Sequence, residues 1–472
     1  MNELRPRLEE NAPGPWPDQA GLEAPDMTRL THDALAIVLA GGRGERLGAL
    51  TAWRAKPSVP FGGKFRIIDF VLSNCVNSGV RRIGICTQYR AQSLIRHVQR
   101  GWSFFDGRFD EFVELLPAQQ RSAAAWYRGT ADAVFQNLDL LRRQNPRHVL
   151  VLAADHVYKM NYASMLSDHV LSGARMTIGC VEVALADARG LGVMTADVDG
   201  HIVAFAEKPD SPASLPGRPD TALASMGIYV FDTAFLCELL DRDARDPDSS
   251  HDFGKDIIPG LLSRGERLFA HCFSKSCVNM SEGQPYWRDV GTLDAYWQAN
   301  MELTAVTPPL NLYDEDWPIW TYQEQLPPAK FVFDDNERRG NAVDSLVSGG
   351  CIVSGAQVRR SVLFSGVRVN SFASVEDSVI LPGVNIGRHA RLRRVIVDRQ
   401  CRIPDGLQAG FDPVADAGRF CLTPGGIVLI TPEMLGQHVH SDDPAYVRES
   451  RPPVPPLAEL TRIGEGQSII HV

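Results

Sequence analysis

Several things are scarce in this sequence, and each scarcity excludes a class of protein. The N-terminus, with Glu3, Arg5, Arg7, Glu9 and Glu10, has no apolar core of the kind a secretory signal requires. No uninterrupted apolar run approaches the roughly 20 residues that cross a bilayer, so a membrane partner is not expected. Basic residues are outnumbered, 48 Lys+Arg against 57 Asp+Glu, for a formal net charge of −9. That balance argues against a nucleic-acid partner, although a local basic cluster still suffices for a small anion. Nine cysteines are scattered with no Cys-x-x-Cys among them. Cys86 and Cys180 lie inside apolar runs, where a thiol serves as a small core residue. His271, Cys272 and Cys277 lack the paired ligands elsewhere that a zinc site needs. Reduced thiols in a cytoplasm are the expectation.

What is present points to two domains. The 472 residues exceed one typical domain, and 44% hydrophobic with 22% charged residues suit a sizeable core. Residues 1–31 are rich in Pro, Glu and Asp without periodicity and read as a flexible leader. Residues 439–472, with Arg451-Pro452-Pro453-Val454-Pro455-Pro456, read as an extended tail. Across 32–306 strands and helices alternate: strands at Leu35–Leu39, Arg82–Thr87 and His148–Ala153, and helices at Arg66–Asn77, Ala91–Arg100 and Ala131–Arg143, the last capped by Thr130. This order predicts an α/β domain with a mostly parallel, Rossmann-like sheet, its ligands at the carboxyl ends of the strands.

Beyond a linker at 307–344 the pattern changes. Ile352, Val369, Ile386 and Ile403 recur every 17 residues, as do Val358, Val375 and Leu392, and Val362, Val379 and Ile396. A helix cannot generate that period, whereas a coil of three hexapeptide strands does. Residues 345–438 are therefore expected to contain a short left-handed parallel β-helix whose end coils invite capping or subunit contact.

The chemistry concentrates in a few segments. The apolar run Leu35–Ala40 ends in Gly41-Gly42-Arg43-Gly44-Glu45-Arg46-Leu47, followed by Arg54-Ala55-Lys56-Pro57. Glycines let backbone N–H groups approach a phosphate, and Arg43, Arg46 and Lys56 can offset its charge. The loop matches neither a Walker A sequence nor the dinucleotide fingerprint. Asp155 follows one buried strand and Asp289 stands in Tyr286-Trp287-Arg288-Asp289-Val290-Gly291-Thr292. Two carboxylates at strand ends can share one Mg²⁺ with phosphate oxygens and water. After the hairpin Val193–Ala206, Lys208 offers a point charge for a second phosphate, and Glu207 accepts from sugar hydroxyls. Ser225 and Asp252, each near a glycine, add the lining a sugar needs.

The glycine loop resembles the triphosphate loop of sugar-phosphate nucleotidyltransferases. With Trp126-Tyr127-Arg128-Gly129-Thr130-Ala131-Asp132-Ala133, Phe205-Ala206-Glu207-Lys208-Pro209, Ala224-Ser225-Met226-Gly227-Ile228-Tyr229, Ser250-His251-Asp252-Phe253-Gly254-Lys255-Asp256 and the Tyr286–Thr292 segment, the resemblance narrows to bacterial glucose-1-phosphate adenylyltransferases. It runs from about Ala34 to Leu435. It implies a homotetramer that makes ADP-glucose for glycogen, with a regulatory β-helix and Mg²⁺ as cofactor. By the same resemblance Arg43, Lys56, Asp155 and Asp289 are catalytic, and the two aspartates hold the metal. ATP would meet Gly41, Gly42, Gly44, Gln88, Gln119, Arg128, Gly129 and Asp132. Glucose 1-phosphate would meet Tyr127, Gly192, Glu207, Lys208, Ser225, Asp252 and Trp287. Gln88 and Trp126 match positions that relay an activator signal in the family.

Trp53 departs from the pattern, because members of the enteric type carry a phosphate-contacting lysine there. Arg54, Arg66, Arg393 and Arg394 remain as candidates for a small anionic effector, and a monophosphate or carboxylate is expected to outperform a sugar bisphosphate. Two other readings stay open: a catalytically silent regulatory subunit, or a sugar nucleotidyltransferase using another nucleoside triphosphate. A bifunctional acyltransferase would need more coils and a basic histidine, and His389 is the only histidine in the repeat.

Overall fold

A computed structural model describes residues 25–42, 44–118, 126–278, 284–335 and 338–437. The N-terminal half is built on strands β1 (Ala34–Leu39), β2 (Arg82–Thr87), β3 (Phe112–Pro117), β4 (His148–Ala153), β5 (His156–Tyr158), β6 (Met176–Ala184), β7 (Gly192–Ala196), β8 (Ile202–Glu207), β9 (Thr221–Asp232), β10 (Leu268–Cys272) and β11 (Trp287–Asp289). Nine of these form one sheet, in the order β8–β7–β9–β4–β1–β2–β3 with β6 paired to β9 and β10 paired to β6. β1 lies at the centre, parallel to β2 and β4. Its side chains are buried on both faces, which is why the run reads as continuously apolar rather than alternating. Two packed cores, one on each face, draw on alternate residues of the same strands: Leu35 and Ile37 on one side, Ala36 and Val38 on the other.

β9 runs antiparallel to β4, so the sheet is mixed rather than wholly parallel. Its register against β6 slips between Ser225 and Ile228. Gly227 in that bulge has φ of +66°, a backbone state that favours glycine, and a Cβ there would stand 3.1 Å from that of Ala153. The bulge therefore lets β9 pass close to the end of β4, where ligand-facing residues emerge.

One helix differs from expectation. Instead of running unbroken over 131–143, the segment folds as two short helices, Thr130–Phe135 and Leu138–Gln144, with Gly129 rather than Thr130 as the cap. The Asn137 side chain amide donates to the Tyr127 hydroxyl at 3.0 Å and to Ala133 O at 2.8 Å, and its backbone has left the helical region, which breaks the run. The Thr130 hydroxyl is used elsewhere, between Asp252 and the Phe253 N–H.

The C-terminal half is a parallel coil of three short-strand sheets. Val353, Val369, Ile386 and Ile403 stack in register, as do Val358, Val375, Leu392 and Ala409, and Val362, Val379 and Ile396. In the first turn the stacked residue is Val353, not Ile352, so that turn is one residue shorter than the period implies. Strand pairing begins at Lys330–Val332 against Ile352–Ser354, inside the stretch read from sequence as linker. One face of the coil packs on the N-terminal half: Val362, Phe364, Val379, Leu381 and Ile396 share a core with Phe61, Phe70 and Tyr296.

Candidate active site

The carboxyl ends of β1 and β4 open into a cavity of about 700 Å³. Gly41, Gly42, Gly44, Lys56, Gln88, Tyr127 and Gly129 line one part of it, and Asp155, Glu207, Lys208 and Asp252 another. Gly129 is fixed by a close approach: a Cβ there would overlap the backbone of His251, whose carbonyl accepts from Ala131 N at 2.8 Å. That contact ties the helix start at Thr130 to the loop carrying Asp252. Gly44 adopts φ of +67° where the Lys56 stem passes beneath it, at 2.9 Å from where a Cβ would be.

Charge is the organising feature of the floor. Lys56 is buried, and its ammonium donates to Asp155 Oδ2 at 3.0 Å and Asp289 Oδ1 at 2.9 Å. Burial would lower the Lys56 pKa, but the two carboxylates outweigh it and raise it. Burial alone would likewise raise Asp155, yet His156, Lys56 and Arg46 hold it well below the usual carboxylate range. Asp289 is lowered too, by His156 and Lys56, against its burial and the neighbouring Asp155 charge. Asp289 is brought to Asp155 by strand pairing, since β11 runs antiparallel to β5 with Asp289 opposite His156. Donor atoms of Asp155, His156 and Asp289 lie within 4.8 Å of one another.

On the other wall Glu207 ends β8, and glycines make room for its carboxylate. A Cβ at Gly254 would stand 2.5 Å from Glu207 Oε2, and one at Gly192 would stand 3.0 Å from it. Lys208 Nζ lies 3.3 Å from Glu207 Oε1, and Lys208 holds a left-handed φ of +47°. Such a conformation at a non-glycine residue costs of order 1 kcal/mol and recurs at ligand sites. Asp252 accepts from Thr130 Oγ1 at 3.0 Å and from Gly254 N at 2.9 Å, so it caps a turn while facing the cavity.

Other expected residues stand behind the wall. Asp132 is buried and accepts from Arg128 N at 2.9 Å and Gln136 Nε2 at 2.8 Å, which makes it a brace for the loop. Ser225 accepts from Gly227 N at 3.2 Å, inside the bulge. Trp287 is buried against His156, with ring centroids 4.9 Å apart, and its indole N–H has no partner. Arg43 and Gln119 lie outside the described residues. His156 was missed, though it directly follows Asp155. Arg46, expected from sequence to offset phosphate charge, donates to Asp289 Oδ2 at 3.1 Å.

The model for nucleotidyl transferases matches residues 35–306, and that for the GlmU-like C-terminal hexapeptide matches residues 327–430. A glucose-1-phosphate adenylyltransferase of Nitrosospira multiformis is 64% identical over 421 residues, covering 89% of this chain and 98% of the relative. Those of Nitrosomonas europaea and Dechloromonas aromatica are 64% and 62% identical, covering 88% and 87% of this chain and 96% and 93% of the relatives. The chain belongs to the glucose-1-phosphate adenylyltransferase family.

A second cavity, of about 640 Å³, lies where this family member's two halves meet. Arg54 and Arg66 line it, together with Arg399 from the coil, which the sequence reading did not select. Arg54 is buried and donates to both oxygens of Asp398, at 2.8 and 2.9 Å, while its Nη1 has no partner. Arg66 donates through Nη1 to Ser93 Oγ at 2.9 Å. Burial, helped by the neighbouring charges of Arg399 and Arg54, lowers Arg66 to about 10. Arg393 and Arg394 do not join this group. Their guanidinium groups lie over Phe411 and Trp297, at 5.0 and 4.8 Å, and Arg394 also donates to Gly425 O. Arg393 belongs to the second sheet of the coil, whereas Arg399 follows the third, the one packed on the catalytic half. Trp53 does not line the cavity. Its indole donates to Glu433 Oε1 at 3.1 Å, and Arg90 lies 5.6 Å from its ring.

Proposed function

We propose that the chain transfers the adenylyl group of ATP to α-D-glucose 1-phosphate, releasing diphosphate and forming ADP-glucose for glycogen synthesis. The observation that carries this reading is the single cavity that sets a glycine loop with Lys56 opposite Glu207, Lys208 and Asp252. The loop glycines and Gly129 admit the triphosphate and base, and Lys208 neutralises the monoester phosphate while Glu207 and Asp252 accept from sugar hydroxyls. Held in line, the phosphate oxygen of the sugar attacks the α-phosphorus, and the protein contributes alignment and charge rather than covalent chemistry.

Asp155 and Asp289 suit a divalent cation, because a buried ammonium already sits between their oxygens where positive charge is demanded. We assign Mg²⁺ to these two carboxylates, which would hold it, and when bound it would offset the negative charge of the phosphates. His156 and Lys56 hold both carboxylates ionised, and the bonds from Lys56 and Arg46 aim them at one point.

We assign the Arg54–Arg66–Arg399 cavity to a small anionic effector, and we expect a cytoplasmic homotetramer. Purified chain assayed for diphosphate release with ATP, UTP, GTP and dTTP, each with glucose 1-phosphate and Mg²⁺, tests the reading. ATP should be preferred by about 10² or more, as expected where a site hydrogen-bonds one base. Equal use of another triphosphate would overturn the adenylyl assignment, and no turnover with any of them would favour a silent regulatory subunit.

A further inference from the structure

At the end of the sheet away from the cavity, three ligating side chains converge that no step above uses. His148 opens β4, Asp232 closes β9, and the two are register partners across the antiparallel pair. His169 reaches them from the helix Tyr162–Ser172. His148 Nδ1 lies 3.1 Å from Asp232 Oδ1, and His169 Nε2 lies 3.8 Å from the same oxygen. One donor atom from each of the three falls within 4.8 Å of the others. Ligands about 2.0–2.1 Å from a tetrahedral zinc stand roughly 3.3 Å apart, so the spacing already brackets that of a shared ion.

A second observation concerns His148 itself. It is 2% exposed, and among the described residues neither ring nitrogen has a hydrogen-bond partner. Nδ1 is close to Asp232 without being directed into a hydrogen bond. A carboxylate placed beside the lone-pair direction rather than on it is the arrangement of two ligands sharing one ion. His169 is prepared in another way. Its Nδ1 lies 2.8 Å from the Thr177 hydroxyl, which fixes the ring and leaves Nε2 for the cluster. The Asp232 side chain is half exposed and lines a surface cavity, which gives an ion a way in and leaves room for water as a further ligand. Of the arginines in that cavity, Arg175 is turned onto the Phe235 ring at 4.2 Å and lies 3.9 Å from Glu266.

We propose that His148 Nδ1, His169 Nε2 and Asp232 bind a divalent transition-metal ion of the Zn²⁺ class, pinning β4, β9 and the helix Tyr162–Ser172 together. Two imidazoles and one carboxylate suit Zn²⁺ or Co²⁺, whereas Mg²⁺ takes oxygen donors. The site is separate from catalysis, roughly 20 Å along β4 from Asp155 at a strand rise of 3.3 Å per residue.

The test uses the full-length chain carrying Asp155→Asn and Asp289→Asn, so that the other candidate metal group does not contribute. Metal content after dialysis against Zn²⁺ should be one ion per chain, and Co²⁺ should give a visible spectrum that millimolar Mg²⁺ does not erase. Adding Asp232→Ala should weaken binding by about tenfold or more, as should His148→Phe. Asp232→Ala is the safer variant, because this carboxylate is half exposed and makes no capping bond to its helix. In the otherwise wild-type chain the same change should lower the Zn²⁺ count by one and abolish a Zn²⁺-dependent rise in Tm. Absence of bound metal in the background protein would overturn the proposal. So would metal binding or a Co²⁺ spectrum that Asp232→Ala and His148→Phe leave unchanged.

Discussion

In the catalytic cavity one buried ammonium, that of Lys56, is shared by two carboxylates, whereas Arg54, Arg66 and Arg399 line the cavity at the junction of the two halves together with Glu324, and Arg54 is bonded to Asp398. The first arrangement is close to neutral and its hydrogen bonds are made. It is suited to a polyanion that arrives with its own metal, since the carboxylates have something to offer a cation. The second is under-compensated: Arg54 Nη1 and Arg399 Nε are buried without partners, and burial lowers the pKa of both Arg66 and Arg399. Orphaned buried donors and unopposed charge carry a standing cost that a bound anion would remove. Two cavities of similar size therefore differ in charge: one is balanced, and the other holds cationic side chains with buried, unbonded donors.

The largest effect should come from removing charge at the first site. Asp155→Asn is expected to lower kcat by on the order of 10³ or more while the fold persists, since charge stabilisation by a metal is worth several kcal/mol. Steady-state kinetics with circular dichroism on the same sample checks this. Near-normal turnover in folded protein would remove Asp155 from the catalytic set and with it the contrast between the cavities.

A smaller, substrate-specific effect is expected at Lys208, exposed beside Glu207. Lys208→Ala should raise KM for glucose 1-phosphate by about 10- to 100-fold, with KM for ATP and kcat much less affected, as loss of uniform binding to one anion requires. Equal increases for both substrates would place this ammonium on the triphosphate instead.

How far the chain could be read without coordinates differed between the same two regions. The strand β1, the glycine loop and the coil were legible because each is local: an apolar run, clustered glycines, a fixed period. The coil period failed only in its first turn, where Val353 rather than Ile352 stacks on Val369. The break at Asn137 was hidden, since it depends on a side chain bonding the Tyr127 hydroxyl. The junction cavity was half legible. Arg54 and Arg66 lie in the loop and helix start that follow β1, but Arg399 comes from a coil face whose identity depends on which sheet packs inward. Counting arginines in the repeat pointed to Arg393 and Arg394 for lack of that information.

Arg399 thus gives the sharper test of the second cavity. Arg399→Gln should weaken the response to an activating anion by about tenfold or more with a much smaller effect on the basal rate, because each charge-assisted contact is worth about 1.5–3 kcal/mol. Arg393→Gln, with its guanidinium over Phe411, should change neither. A response that follows Arg393 and ignores Arg399 would move the effector to the outer face of the coil.

The smallest effect is expected at Trp53, where the chain departs from its enteric-type relatives. The side chain is 45% exposed and lies outside the junction cavity, so it removes no phosphate contact from that site. It instead links the short turn Glu433–Leu435, which follows the coil, to Arg90, two residues beyond Gln88 at the catalytic cavity. A lysine at this position would meet the Glu433 carboxylate before any ligand, and an exposed pair of that kind is worth about 0–1 kcal/mol. Trp53→Lys should therefore strengthen activation by fructose 1,6-bisphosphate by no more than about fivefold, the factor that 1 kcal/mol supplies. Basal kcat should change less than that. The measurement is the bisphosphate concentration giving half-maximal activation, in wild type, Trp53→Lys and the Trp53→Lys, Glu433→Gln pair. If the double variant responds more strongly than Trp53→Lys alone, Glu433 was competing for the ammonium, and a ligand can reach position 53 once that carboxylate is gone. A gain of about 10² or more in the single variant would instead mean that the effector spans both the junction cavity and Trp53, and the two could no longer be treated as separate.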